Sequence, residues 1–508
     1  MARTARHVTL CERRSAGAHA LVLTPFSDHS GWVPAADRPD PVSVLEGQNL
    51  TREPDLVPVR HGRMMVSPFT FYRGAAKIMA TDLGGTPTAG FTSQLCGDAH
   101  LSNFGVFASP ERRLLFDLND FDETLPGPFE YDVKRMTASF TIASRNNGLT
   151  TAQADTVTLA AVRAYREAMT EFAAMGVMEV WYSRLSEDDV RAVVGRPAGP
   201  GSGAKAAKSA KTPKSAKTPK AGRKAKAGGS SAVGDTPSGP GAAEVRRAEK
   251  NLAKARSRDS LQALSKLGEV VDGHYRIVSR PPIVVPLRDL ERQYAMSPEF
   301  SRTMLSEQFR RYRSTLQDDR RRLLERFEIV DMARKVVGVG SVGTRAFIVL
   351  LQGRDDGDPL FLQVKEATRS VLEDHLPRSR YRNPGERVVR GQRMMQAASD
   401  IFLGWTKGEE ANRYLYWRQL RDMKGSALVD LMSASLLESY ARICGWTLAR
   451  AHARSGDPVA MAAYLGAGDE FDAAISDFSR RYADQNEIDY RAFVSAVRSG
   501  RIAAEEGI

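Results

Sequence analysis

Apolar and polar positions change their period several times along the chain, and each change predicts an element. Phe91 to Leu95, Val106 to Ala108 and Leu114 to Leu118 are short apolar runs bounded by Gly, Asn and Asp, so they are expected to be strands. Val133 to Arg145 and Ala152 to Met178 carry helical spacing instead. A charged stretch, Met304 to Phe327, repeats Leu305, Phe309, Tyr312, Leu316, Leu323 and Phe327 at the same helical spacing. The pattern then shortens again. Val336-Val337, Ala346 to Leu351 and Leu360 to Val364 predict three strands, the first two joined by a glycine-rich loop and the last two by the turn sequence Asp355-Asp356-Gly357-Asp358. A strand-like run from Tyr414 to Leu420 precedes a long helix, Ser435 to Arg454, with Leu437, Tyr440, Cys444, Leu448 and Ala451 on one face. The mixture predicts an α+β protein, and a length of 508 residues favours more than one lobe.

Between Arg196 and Gly241 neither period survives. Large apolar residues give way to Ala, Lys, Gly, Ser, Thr and Pro, including the tandem repeat SAKTPK from Ser209 to Lys220. Such a segment buries too little surface to offset its ordering entropy and is expected to be disordered. It also holds ten lysines and arginines against the single Asp235, which is most of the chain's formal +12. The basic balance, which taken globally suggests a nucleic-acid partner, is therefore local. It predicts at most weak, sequence-independent nucleic-acid contact through residues 196–242, and a solubilising spacer is the plainer expectation.

Composition narrows the class further. At 42% hydrophobic and 26% charged the chain is ordinary globular material, with no apolar window long enough to span a membrane and no signal-peptide core in its first thirty residues, so a cytoplasmic location is expected. Cys11, Cys96 and Cys444 are too few and too far apart for a disulfide framework or a CxxC zinc site.

Two stretches carry candidate chemistry. In CGDAHLSNFG, Asp98 and Asn103 stand five apart after a strand, the spacing with which a kinase catalytic loop places a base on the acceptor hydroxyl and an amide oxygen on Mg2+. Asp117 and Asp120 end the following hairpin, within an acid cluster completed by Asp122 and Glu123, where one of them is expected as the second metal ligand. The other stretch, VVGVGSVGTRAFIVLL, holds Gly338, Gly340, Ser341 and Gly343 in G-x-G-x-x-G spacing. A dinucleotide fold needs a helix next; here a short strand follows, and a third strand ends in Lys365, so a nucleotide-phosphate loop between antiparallel strands is expected, with Lys365 on the phosphates. Glu386 or Glu373 is expected to orient Lys365.

CGD-x4-N resembles the HGD-x4-N of aminoglycoside phosphotransferases, with Cys96 in place of histidine. Relative to such kinases the order looks permuted: catalytic loop and metal aspartates come first, then glycine loop, lysine, a hinge-like YLYWRQL and the helix ending LARAHARSGD. The resemblance implies a two-lobed, circularly permuted, protein-kinase-like fold. Residues 1–195 would carry the catalytic loop and metal site, 196–242 a basic linker, 243–330 a helical connection, 331–424 the nucleotide-binding lobe and 425–508 the closing helices. The motifs RGAAKIMATDL, CGDAHLSNFG, FDLNDFDETLPGPFEYDVKR, LFLQVKEA and MMQAASDIFLGW together resemble an uncharacterised bacterial family, domain of unknown function 2252, which brings no agreed activity. The expected function is ATP- and Mg2+-dependent phosphoryl transfer to a small-molecule hydroxyl. AMP transfer in the same site, and a nucleotide-binding or DNA-associated adaptor without catalysis, are the alternatives, and a hydrolase using the Asp117 to Glu123 acids is a third.

Overall fold

The computed structural model describes residues 8–194, 240–271, 274–409, 412–420 and 422–507; nearly all of the basic segment lies outside the described residues. Along the chain the strands are β1 (Thr92–Leu95), β2 (Phe104–Ala108), β3 (Leu114–Leu118), β4 (Leu125–Pro128), β5 (Leu185–Ser186), β6 (Gly268–Val271), β7 (His274–Ile277), β8 (Val284–Pro286), β9 (Glu328–Lys335), β10 (Ala346–Gln352), β11 (Pro359–Glu366), β12 (Gly404–Lys407), β13 (Tyr414–Gln419) and β14 (Gly425–Ser426). They form antiparallel sheets, the largest ordered β12-β13-β11-β10-β9-β8. The fold is therefore mixed α+β.

The six-stranded sheet is covered on both faces, which is why β10 reads AFIVLLQ with no polar alternation. Val349 and Leu351 join Leu360, Leu362, Val364 and Trp417 beneath the helix Pro298–Arg313, whose Tyr312 stacks on Trp417 at 4.5 Å between ring centroids. Ile348, Leu350 and Phe361 point the other way, against Ala263, Leu264 and Leu267 of the helix Ser260–Leu267.

The larger core is helical. Phe129–Asn146 is buried on every side from Phe129 to Ser144, and its Thr137 and Thr141 hydroxyls turn back to carbonyls of their own helix. Thr151–Ala174, Ala434–Ala453 and Glu470–Arg498 pack around it. Both halves of the sequence build this body: β14 pairs with β2 through Gly425 and Val106, and Ala434–Ala453 lies along Thr151–Ala174. Gly445 permits that approach, since a Cβ there would stand 2.3 Å from the carbonyl oxygen of Ala161. Among the described residues no helix is long and apolar enough to cross a membrane.

Several boundaries differ from expectation. The first strand of the glycine hairpin is Glu328–Lys335 rather than Val336-Val337, because its half-exposed mixture of charged and apolar residues hides the alternation. Met304 to Phe327 is two helices, Pro298–Arg313 and Asp318–Leu324. Residues 243–330 are not purely helical: they contain β6, β7 and β8, and β8 extends the main sheet.

Gly445→Ala is expected to push the two long helices apart and to cost about 1–3 kcal/mol. Chemical denaturation of the variant against the native chain checks it.

Candidate functional site

The acid loop between β3 and β4 is anchored through its backbone. Thr124 donates to the Leu95 carbonyl at 2.5 Å, and Phe121 is buried in the core. From the helix Pro384–Met395, Arg387 donates to the carbonyls of Thr124 at 2.5 Å, Asp122 at 2.7 Å and Thr368 at 2.9 Å. One guanidinium thereby ties the acid loop to the chain following β11. Lys365, near the end of β11, reaches across with its Nζ 2.5 Å from Asp122 Oδ2 and 3.9 Å from Asp120 Oδ1. The Tyr416 hydroxyl donates to the other Asp122 oxygen at 2.6 Å.

Burial disfavours the Lys365 charge, but Asp120 and Asp122 outweigh it and raise its pKa above the usual lysine range. Burial likewise works against ionised Asp122, yet Lys365 and Tyr416 carry its pKa below the ordinary value. Asp120 goes the other way, raised by burial and by the Asp122 charge, and its Oδ1 is buried without a hydrogen-bond partner.

The Asp98 loop approaches the same place from β1. The Asp132 carboxylate accepts from the backbone N–H of Cys96 at 2.6 Å and of Gly97 at 2.9 Å, while His452 contacts it at 3.2 Å and is itself bonded to the Tyr165 hydroxyl at 2.9 Å. Gly97 has φ +84°, and a Cβ there would lie 2.2 Å from the Glu123 carbonyl oxygen, so glycine lets the two loops touch. Asp98 Oδ1 accepts from Arg135 Nε at 2.8 Å, and among the described residues Oδ2 has only His100 at 3.8 Å. Burial raises the Asp98 pKa against the pull of Arg135. Burial also holds His100 neutral, helped by Arg73 and Arg135. Asn103 donates its Nδ2 to the Asp98 carbonyl at 2.6 Å, which leaves its side-chain oxygen as the acceptor for anything in the cleft.

The glycine loop between β9 and β10 completes the enclosure. Gly338 and Gly343 have φ of +68° and +86°. Residues from the N-terminal part hold the loop: Arg63 donates to the Gly338 carbonyl at 2.6 Å, the Glu53 N–H to the Gly343 carbonyl at 2.8 Å, and Arg52 to the Val342 carbonyl. Ser341 donates to Asp122 at 3.4 Å. The result is a cleft of about 430 Å³ lined by Asp98, Asn103, Asp120, Asp122, Gly340 and Ser341, among others, with Lys365 behind the two aspartates.

Three expected participants stand elsewhere. Asp117 is buried in the helical body, paired with Arg450 and accepting from the Ala397 N–H at 2.8 Å, so it does not serve the cleft. Glu386 pairs with Arg390 on its own helix at 3.3 Å. Glu373 bonds the Ser370 N–H, a capping contact, and pairs with Arg369 at 3.3 Å. Lys365 is held instead by Asp122, which the sequence presented only as one of four clustered acids. Tyr416 and Arg387 were not singled out at all, and only the presence of a tyrosine in the hinge-like run and an arginine beside Glu386 could have drawn attention to them. Among the described residues no three His, Cys, Asp or Glu side chains gather as a metal cage.

The class these features define is an α+β protein with a polar, acid- and glycine-lined cleft between its main sheet and its helical body. The family model for uncharacterised proteins conserved in bacteria, DUF2252, matches residues 52–238 and 238–496, and the chain belongs to that family. No curated protein and no solved structure matches it.

Glu123, at the edge of the cleft, accepts from the Val371 N–H at 2.7 Å, and burial pushes its pKa from 4.5 to about 7 despite Arg387. The folded chain therefore binds this proton more tightly than the unfolded one, and stability falls as pH rises from about 4.5 through about 7. Glu123→Gln is expected to melt close to the native chain at pH 4.5 and progressively above it toward pH 7.5, as thermal scans across that range will show.

Proposed function

We propose that this chain is an ATP- and Mg2+-dependent phosphotransferase of circularly permuted, protein-kinase-like fold, acting on the hydroxyl of a small molecule. The observation that carries the reading is the convergence of Asp98, Asn103, Asp120 and the glycine loop on one cleft from opposite ends of the chain, with Lys365 directly behind Asp120 and Asp122. The sheet supports it. The glycine loop joins β9 to β10, Lys365 lies on the third strand of that meander, a helix follows, and β13 returns beside β11 with β12 at its outer edge. That order gives a phosphate-covering loop and a phosphate-binding lysine the relation a kinase requires.

The donor set fits the cofactor. Mg2+ takes one or two carboxylates and leaves its remaining positions to phosphate oxygens and water. Asp120 offers a buried oxygen without a hydrogen bond among the described residues, 3.9 Å from Lys365 Nζ, and Asn103 offers its amide oxygen, its nitrogen being already engaged. Bound Mg-ATP would supply the transferable phosphoryl group, and its Mg2+ the positive charge facing these acids. Lys365, kept protonated by Asp122 and Asp120, would hold phosphate oxygens, and backbone N–H groups of the glycine loop would cover them. Asp98 Oδ2 would accept the hydrogen bond of the acceptor hydroxyl and take its proton as the oxygen attacks phosphorus and the bond to the departing ADP breaks. Arg135 fixes the orientation of Asp98 through its other oxygen.

Mg-ATP is expected to raise the melting temperature of the native chain, and Asp120→Ala or Lys365→Met to abolish that rise. Asp98→Asn is expected to keep the rise while ADP formation with a metabolite extract falls by about 10²–10⁴. Absence of any Mg-ATP response in the native chain would sink the reading. Pyrophosphate in place of ADP would indicate AMP transfer, and binding with no turnover a nucleotide-binding adaptor.

A further inference from the structure

The cleft is not acidic throughout. The wall contributed by residues 47–77 presents Gln48, Thr51, Arg52, Arg73 and Lys77 and no carboxylate. Lys77 is already paired with Asp374 at 3.3 Å. Neither arginine makes an ion pair among the described residues, and the Nε of each is buried without a hydrogen-bond partner. Burial lowers the pKa of Arg73, with Asp98 and Asp430 opposing from beyond pairing distance. Burial brings Arg52 down to about 10 against Glu123, Glu366 and Asp122, and its guanidinium donates to the Val342 carbonyl. Both side chains are half-buried, with only Nε fully covered and the fork open to the cleft. A partly desolvated guanidinium without a counter-ion favours an anionic partner, and its planar fork of donors is matched by phosphate or carboxylate.

We infer that the acceptor is an anion, held by Arg73 and Arg52 through a phosphate or carboxylate next to the hydroxyl that reacts. The inference rests on the phosphotransferase reading and adds the substrate class to it. Arg52 also holds the glycine loop through the Val342 carbonyl, and position points to Arg73 as the arginine nearer the acceptor. Lys365, Asp120 and Asn103 serve triphosphate and metal from the sheet and helical-body sides, whereas Arg73 comes from the N-terminal wall. Its carbonyl lies under the tip of the glycine loop, 3.2 Å from where a Gly340 Cβ would be, and its charge acts on Asp98. That is the space between loop and base, which the acceptor has to enter. There Arg73 offsets the repulsion an anionic acceptor meets from Asp98 and the triphosphate. A cationic acceptor would face two uncompensated arginines.

The test uses the full chain saturated with Mg2+ and a non-hydrolysable ATP analogue, so that the γ-phosphate position is filled, and titrates inorganic phosphate by calorimetry at constant ionic strength. Phosphate is expected to bind the native complex, with at least tenfold loss in Arg73→Ala and an intermediate loss in Arg73→Lys, which retains the charge but not the fork. Because Arg73→Lys is the milder change, it answers the question if Arg73→Ala fails to fold. Phosphate binding that is absent, or unchanged by either variant, overturns the inference. So does a parallel tenfold loss of analogue affinity, which would assign Arg73 to the nucleotide. If the native chain fails to bind the analogue, the phosphotransferase reading falls. An Arg73-dependent phosphate response without nucleotide would then still support an anion site on this wall.

Discussion

A buried lysine organises this molecule. Lys365 is almost wholly removed from water near the end of β11, and a charge in that position persists only where opposite charge meets it. Asp122 does so at 2.5 Å, with Asp120 behind it and Tyr416 fixing the second Asp122 oxygen. The acid loop must therefore lie against the sheet, although 243 residues separate the two partners. That one requirement brings the two halves of the chain face to face and opens the cleft between them.

Other buried polar groups set how accurately the halves meet. Arg387 reads three backbone carbonyls, Asp132 takes two successive N–H groups of the Cys96-Gly97 turn, and the Arg450 and Asp117 pair closes the base of the acid hairpin. Each involves a charge whose partner, if lost, would leave it stranded, and breaking such a pair typically costs about 3–5 kcal/mol. They are positioning devices in the strict sense: they bind backbone or one another and leave Asp98 Oδ2 and Asp120 Oδ1 without a hydrogen bond among the described residues.

The elements that the sequence made legible are those with strong local periodicity. β2, β3, β10, β11 and the helix Ala434–Ala453 fall within a few residues of their apolar runs, because each buries a face that its own residues declare. β9 and β8 escaped because their partners, not their composition, hold them in the sheet. At the site, Asp98, Asn103, Asp120, the glycines and Lys365 were visible because each is set by spacing within one loop or strand. Asp117 and Asp120 looked equivalent three residues apart. Which of them faces the cleft depends on a strand end turning into a loop, and on Arg450, 333 residues away, claiming the other.

By itself, the sequence determined the local inventory: a glycine loop bounded by strands, a lysine ending the third strand, an Asp and Asn five apart, an acid cluster, and a basic charge concentrated in one segment. These depend on backbone preference and apolar period, which act over a few residues. Only the tertiary structure decided who meets whom. It paired Lys365 with Asp122 rather than Glu386 or Glu373, buried Asp117, and placed Arg52 and Arg73 opposite the acids with no ion pair among the described residues. Charge pairing acts through space and is settled by burial, so the register of a charge along the chain says little about the partner that will hold it.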